Sequence, residues 1–176
     1  MLNHDLMTKI KKSKVKWGSL LVILLISLVF GGQLFGRSGS QQWSNTSPEI
    51  NLGHIFEGAI NSRGKPTGFH SRPGGKDPRH ARVKKILSKN GKGDVYTARV
   101  EVFDPRERRW KEKFSTLYPD SMSRDQVIQT ILYAWKHRKT GKKTKWEGPS
   151  GKGFPIQGYL NRRGNINTAY PVYIKK

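Results

Sequence analysis

One run of residues divides this chain before anything else in it can be read. Leu20-Leu21-Val22-Ile23-Leu24-Leu25-Ile26-Ser27-Leu28-Val29-Phe30 is interrupted only by Ser27, and the wider stretch from Trp17 to Phe35 stays mostly apolar. No polar face breaks it, which argues against a buried helix of a soluble core. Residues 1–16 are polar and carry Lys9, Lys11, Lys12, Lys14 and Lys16, so the positive-inside rule keeps that end in the cytoplasm. The dense part is about a dozen residues, the length of a signal sequence; counted through to Phe35 it is just long enough to span a bilayer. No small-x-small cleavage site follows. Residues 17–35 are therefore expected to be an uncleaved transmembrane anchor in preference to a cleaved signal. In both cases the remainder lies outside the cytoplasm, membrane-anchored or secreted. Residues 36–50, rich in Ser, Gly and Gln, read as a flexible linker. A domain over 51–176 is left to fold.

That domain is cationic in its own right. The chain has 34 Lys+Arg against 12 Asp+Glu, a formal charge of +22. The leader through Phe35 holds five of the bases and one acid, Asp5, so 29 bases and 11 acids remain, or +18. So lopsided a sign exceeds what solubility needs and favours a polyanionic partner, nucleic acid or an acidic membrane surface. The absence of cysteine excludes disulfides, zinc–thiolate sites and thiol catalysis. The domain must hold together by burying Trp, Tyr, Phe, Val and Ile.

The expected elements form one α+β domain with its helices early and its strands late. Ile50 to Ile60 reads as a short helix. Gly64 to Arg82, crowded with Gly, Pro and bases, reads as loop with one short strand around Phe69. Val95 to Phe103 alternates as a strand, Asp104-Pro105-Arg106-Glu107 turns, and Trp110 to Phe114 completes a hairpin. Ser123-Arg124-Asp125-Gln126 has the form of a capping box. The helix it opens has one apolar face of Val127, Ile128, Ile131, Leu132 and Trp135, and ends in a basic loop from Lys136 to Lys145 that is placed to track a phosphate backbone. Phe154 to Leu160 and Ile166 to Ile174 read as a closing hairpin. Between them and the basic loop, Gly148-Pro149-Ser150-Gly151-Lys152-Gly153 has a phosphate-binding composition without Walker A spacing.

Two histidines stand in similar frames. His54 lies in Gly53-His54-Ile55-Phe56-Glu57-Gly58 and His70 in Thr67-Gly68-Phe69-His70-Ser71. Two imidazoles brought together can take a proton at one end of a reaction and return one at the other. RNA carries its own nucleophile, the ribose 2′-hydroxyl, so such a pair with a nearby cation suffices to cleave it. His80, among Pro78, Arg79 and Arg82, reads as an exposed loop residue. The histidines lack the spacing and the carboxylate of a metal site, and neither metal nor cofactor is expected.

These motifs resemble the two histidine motifs of the EndoU endoribonucleases, and Asn167-Thr168-Ala169-Tyr170-Pro171 is similar to that family's closing Thr-x-Tyr-Pro element. The resemblance runs from about Leu52 to Val172 and is closest to the compact bacterial domains at the ends of secreted toxins. It implies a compact EndoU-like ribonuclease fold: N-terminal helices and antiparallel sheets, with the site between two small sheet units. It implies His54 and His70 as the acid/base pair, without saying which is which. It implies that Tyr170 orients ribose or base and that Thr168 contacts base or phosphate. A lysine from a central strand completes the family's site. Lys111 and Lys113 are the candidates, and Lys113 is preferred because it is nearer Ser115 and Thr116, which are placed to meet substrate. The implied reaction is transesterification to 2′,3′-cyclic phosphate ends. RNA is the expected substrate, a cognate immunity protein a possible partner, and the membrane a partner through residues 17–35. A non-enzymatic, membrane-anchored cationic module that binds nucleic acid is the competing expectation.

Overall fold

In the computed structural model, described over residues 42–139 and 144–176, two antiparallel three-stranded sheets carry the architecture. The segments expected at 1–16 and 17–35, and the linker up to residue 41, lie outside the described residues. Among the described residues no helix is long and apolar enough to cross a membrane. The first sheet is β3 (Ala81–Ser88), β4 (Tyr96–Asp104) and β5 (Arg109–Leu117), in that order. The second is β6 (Lys145–Pro149), β7 (Pro155–Leu160) and β8 (Ile166–Pro171). A short helix α1 (Leu52–Phe56) and a two-stranded ribbon, β1 (Ala59–Ile60) with β2 (Pro66–Thr67), precede them. A longer helix α2 (Arg124–Lys136) joins the sheets. The fold is α+β, as expected.

The hairpin expected at 95–114 is β4–β5, longer at its far end and in continuous register from Tyr96↔Leu117 to Asp104↔Arg109. Its inward residues Tyr96, Ala98, Val100, Val102 and Leu117 close on Phe69 and Ala81 as one core. The second core gathers Leu52, Ile55 and Phe56 of α1 with Val127 and Ile131 of α2 and with Trp146, Ile156 and Ile166 of the second sheet. The capping box is present. Ser123 Oγ accepts from Gln126 N at 3.2 Å and Gln126 Oε1 accepts from Ser123 N at 2.8 Å.

Several expectations need correction. The helix expected over Ile50 to Ile60 is only α1. Phe69 is not in a strand; it sits at φ 56° between β2 and His70. The helices do not all come first, because α2 lies between the sheets. The β1–β2 ribbon is unexpected, and two longer strands, β3 and β6, are new. The alternation of β3 is broken by irregularities between Val83 and Lys85 and between Ile86 and Ser88, and Arg82 and Lys84 lie on its solvent face, paired to Glu101. A charged, irregular strand has no period to read. β6 contains Gly148 and Pro149, which signal a turn, yet it is an edge strand where proline is tolerated. Gly148 is required there: a Cβ would stand 2.0 Å from Ala134 O of α2. The chain read as linker up to residue 50 is already packed from residue 42 on. Trp43 bridges Asn51, Ile50 bridges Ile166, and Ser44 is buried.

Candidate active site

The two histidine motifs are spliced by backbone. Asn51 caps α1, its Oδ1 accepting from His54 N at 3.0 Å, while its Nδ2 donates to Asn167 Oδ1 of β8 at 3.3 Å. So short a helix leaves its last carbonyls free, and the second motif takes them. Phe69 N donates to His54 O at 2.8 Å, and His70 N and Ser71 N both donate to Ile55 O, at 2.7 and 3.2 Å. Gly68 allows that approach: it sits at φ 71°, and a Cβ there would stand 2.3 Å from His54 O. Phe69, fully buried, anchors the segment in the first core. The glycine and aromatic of the second frame thus serve to hold His70 in place.

The rings converge. His54 and His70 have centroids 6.1 Å apart, tilted by 35°. Tyr170, on β8, stacks on His70 at 5.2 Å. His70 Nδ1 lies 3.1 Å from Thr116 O and 3.1 Å from Ser115 Oγ, and Ser115 Oγ donates to Phe69 O at 2.8 Å. A carbonyl oxygen only accepts, so Nδ1 carries the hydrogen and the neutral ring keeps its lone pair on Nε2.

The two candidate lysines part company. Lys111 Nζ is held by Asp104 at 2.8 Å, by Glu107 and by Gly64 O at 2.9 Å, so its charge is neutralised. Lys113 Nζ donates to Gly68 O at 3.0 Å, inside the second histidine motif, with no carboxylate partner among the described residues. Burial lowers Lys113 to about 8. Burial and then the Lys113 charge lower His54 to about 4. His70 falls well below its usual value through burial, Lys113 and His54, against the opposing bond to Thr116. Near neutral pH the site therefore holds two neutral imidazoles beside one ammonium.

The remaining candidates fall into place around these groups. Ser115 is buried and its hydroxyl is spent on Phe69 and His70, and Thr116 holds His70 through its carbonyl. Both contacts orient the imidazole. Thr168 shares the face of Tyr170 on β8, but its Oγ1 is closed off from solvent with no hydrogen-bond partner. Tyr170 OH donates to Gln157 Oε1 at 3.2 Å, and Gln157 Nε2 donates to Glu147 Oε2 at 2.7 Å. Asn51 and Gln157 were not anticipated. An asparagine just ahead of a helical motif was a readable cap signal, whereas nothing in the sequence pairs Gln157 with Tyr170. The loop expected to suit phosphate turns its amides on itself, with Lys152 N and Phe154 N donating to the buried Ser150 Oγ. His80 stacks against Phe103. Among the described residues no cluster of three or more His, Cys, Asp or Glu has the makings of a metal site. Residues 140–143 of the basic run lie outside the described residues.

Comparison with known proteins points the same way. The model of the family described as bacterial EndoU nuclease matches residues 48–173. A curated Bacillus cereus protein named Toxin is 30% identical over 122 residues, 68% of this chain and 22% of that protein. The chain thus spans about a fifth of that relative's length. No solved structure matches. With the family model covering most of its length and running through both histidine motifs and the closing Tyr-Pro, this chain belongs to the bacterial EndoU nuclease family.

Proposed function

We propose that the domain is an endoribonuclease that cleaves RNA by attack of the 2′-hydroxyl on the adjacent phosphorus. His70 is the base: with Nδ1–H directed to Thr116 O, its Nε2 takes the 2′-hydroxyl proton. The 2′-oxygen bonds to phosphorus, the P–O5′ bond breaks, and His54 gives its proton to the departing 5′-oxygen. A 2′,3′-cyclic phosphate and a 5′-hydroxyl result. His54 is the less buried ring and the easier to charge. It is neutral near neutral pH, and the arriving phosphodiester, an anion, raises its pKa and loads it. The Lys113 ammonium holds the negative charge that builds on the phosphoryl oxygens. Tyr170 orients the nucleoside from the face of His70. Ser115 and Thr116 position His70 rather than substrate.

The observation that carries this reading is the convergence of His54 and His70 at 6.1 Å beside an unneutralised Lys113. The test uses the full chain and a defined oligoribonucleotide in EDTA, with products resolved by mass. Cyclic phosphate ends are expected, along with resistance of the same oligomer bearing 2′-deoxyribose throughout. Cleavage of the deoxy oligomer, or no cleavage of RNA from acid to mildly alkaline pH with or without manganese, overturns it. The name of the Bacillus cereus relative, Toxin, supports a further reading of this chain as a toxin; such a toxin would be held outside the cytoplasm by residues 17–35 or secreted, and met by an immunity protein. Fractionation of producing cells tests the location, and co-purification of a bound protein that blocks cleavage tests the partner.

A further inference from the structure

Phe114 is 53% exposed, more than any other large apolar side chain among the described residues. It stands on β5 between Lys113, whose ammonium reaches the second histidine motif, and Ser115, whose hydroxyl backs His70. Strand alternation sends its ring to the opposite face from both. Thr116 shares that face two residues on, and its carbonyl carries His70 Nδ1. One two-residue step, about 7 Å, therefore separates Phe114 from the residue that holds the imidazole.

The surroundings are cationic. Arg99 stands directly opposite Phe114 on β4, and Lys85 stands opposite Arg99 on β3, so one row across the sheet reads Lys85, Arg99, Phe114. Arg99 forms a loose ion pair with Glu112, its Nε 3.6 Å away, beyond hydrogen-bond distance. Lys85 is exposed and joins no ion pair among the described residues. Other groups on this face are already occupied. Arg82 and Lys84 are held by Glu101, and Trp110 is covered by Arg82 at 4.2 Å and by Phe103 at 5.4 Å. The sheet thus shields one aromatic and leaves the other bare beside Lys85 and beside Arg99, whose ion pair is loose and exposed to solvent. A bare phenyl on an edge strand is a liability for a monomer. It suits a nucleobase, because an aromatic face flanked by cations is how proteins hold single-stranded RNA without reading its sequence.

We propose that Phe114, Arg99 and Lys85 form a second nucleotide subsite on the outer face of the first sheet. Phe114 stacks the base of a nucleotide next to the two joined by the scissile bond, and the two cations hold its phosphate. The occupant is single-stranded RNA, whose negative backbone matches the row and whose unpaired bases offer a free face. The subsite rests on the ribonuclease reading above and extends its substrate from a dinucleotide to a longer strand.

The test compares Phe114→Ala and Phe114→Trp with the unaltered full chain on a dinucleoside monophosphate and on an oligoribonucleotide with one abasic residue walked through the flanking positions. Phe114→Ala should lower kcat/KM on the intact oligomer by roughly 5- to 140-fold, the equivalent of one base stack. It should leave the dinucleotide within about twofold, since uniform loss is the mark of a merely structural role. Phe114→Trp should keep the oligomer activity. One abasic position should bring the unaltered protein down to the Phe114→Ala level and lower the variant no further. Equal losses on both substrates, indifference to every abasic position, or unchanged RNA cleavage with lost affinity for an acidic protein would each overturn the subsite. The last result would make the face a protein-docking surface. Should the unaltered chain cleave neither substrate, the ribonuclease reading fails by itself. The subsite is then judged by fluorescence anisotropy of a labelled 2′-deoxy oligomer, with weaker binding by Phe114→Ala supporting it and equal binding refuting it.

Discussion

His70 offers a single basic nitrogen because Thr116 O claims its other one, and in the proposed mechanism that directionality divides the pair into base and acid. Replacing either ring separates chemistry from binding. His54→Ala and His70→Ala should each lower single-turnover cleavage by roughly 10²–10⁴-fold while RNA affinity, read by anisotropy, holds. If affinity falls in step with rate, the rings bind and do not transfer protons. In the proposed mechanism Lys113 acts as a charge, and that charge is titratable because burial brings the group down to about 8. Cleavage should therefore weaken as pH rises through about 8, when the ammonium discharges. Lys113→Met should lose roughly 10²–10³-fold and with it that alkaline limb in kcat/KM. A limb that survives in Lys113→Met belongs to another group. Sequence narrows this lysine to two positions and favours Lys113 only through its nearness to Ser115 and Thr116. Lys111 and Lys113 share a face of β5, and only the acids around the hairpin turn, Asp104 and Glu107, neutralise the first and spare the second.

Among the elements, α1 is too short to persist alone, since isolated helices of this length do not survive in water. It is held at one end by the Asn51 cap and at the other by the amides of residues 69–71. Asn51 also reaches β8, where Tyr170 stacks on His70. Asn51→Ala should cost about 1 kcal/mol as a lost cap and also slow cleavage, because His54 rides on the helix it frees. Ser123→Ala removes a cap of similar worth from α2 and should lower the melting temperature without changing the rate per folded molecule. Thermal melts beside kcat distinguish the two; equal effects on kcat would mean that α1 has no special part in placing His54. The capping box and the apolar stripe of α2 were legible because both are local. β3 and β6 were not, because one hides its period behind bulges and bases and the other carries the glycine and proline of a turn.

At the scale of the whole molecule, the site opposes stability in acid. The folded pKa of His54, about 4, lies below its ordinary 6.5. Between those values the unfolded ring binds a proton that the folded ring refuses, so stability rises with pH across the window and is lost as pH falls through it. At about 1.4 kcal/mol per pH unit, His54 alone withdraws roughly 3 kcal/mol by pH 4, and His70 acts in the same direction. Melting temperature should drop between pH 6.5 and 4, and His54→Gln should flatten the drop; a flat profile in the unaltered protein would mean that the folded rings protonate freely. By itself the amino-acid sequence determined the cationic, cysteine-free character of the domain, its α+β class, the β4–β5 hairpin, the capped α2 and the pair of histidine frames. Each of these is written in local composition, periodicity or a short motif. Tertiary structure alone decided which lysine is left, among the described residues, without a carboxylate partner beside the rings, which imidazole nitrogen is free, and that Ser115 and Thr116 hold His70. Those properties depend on burial, on carbonyls brought in from distant parts of the chain, and on which face of the hairpin the turn carboxylates reach. Desolvation and hydrogen bonding act through space, and sequence spacing does not record them.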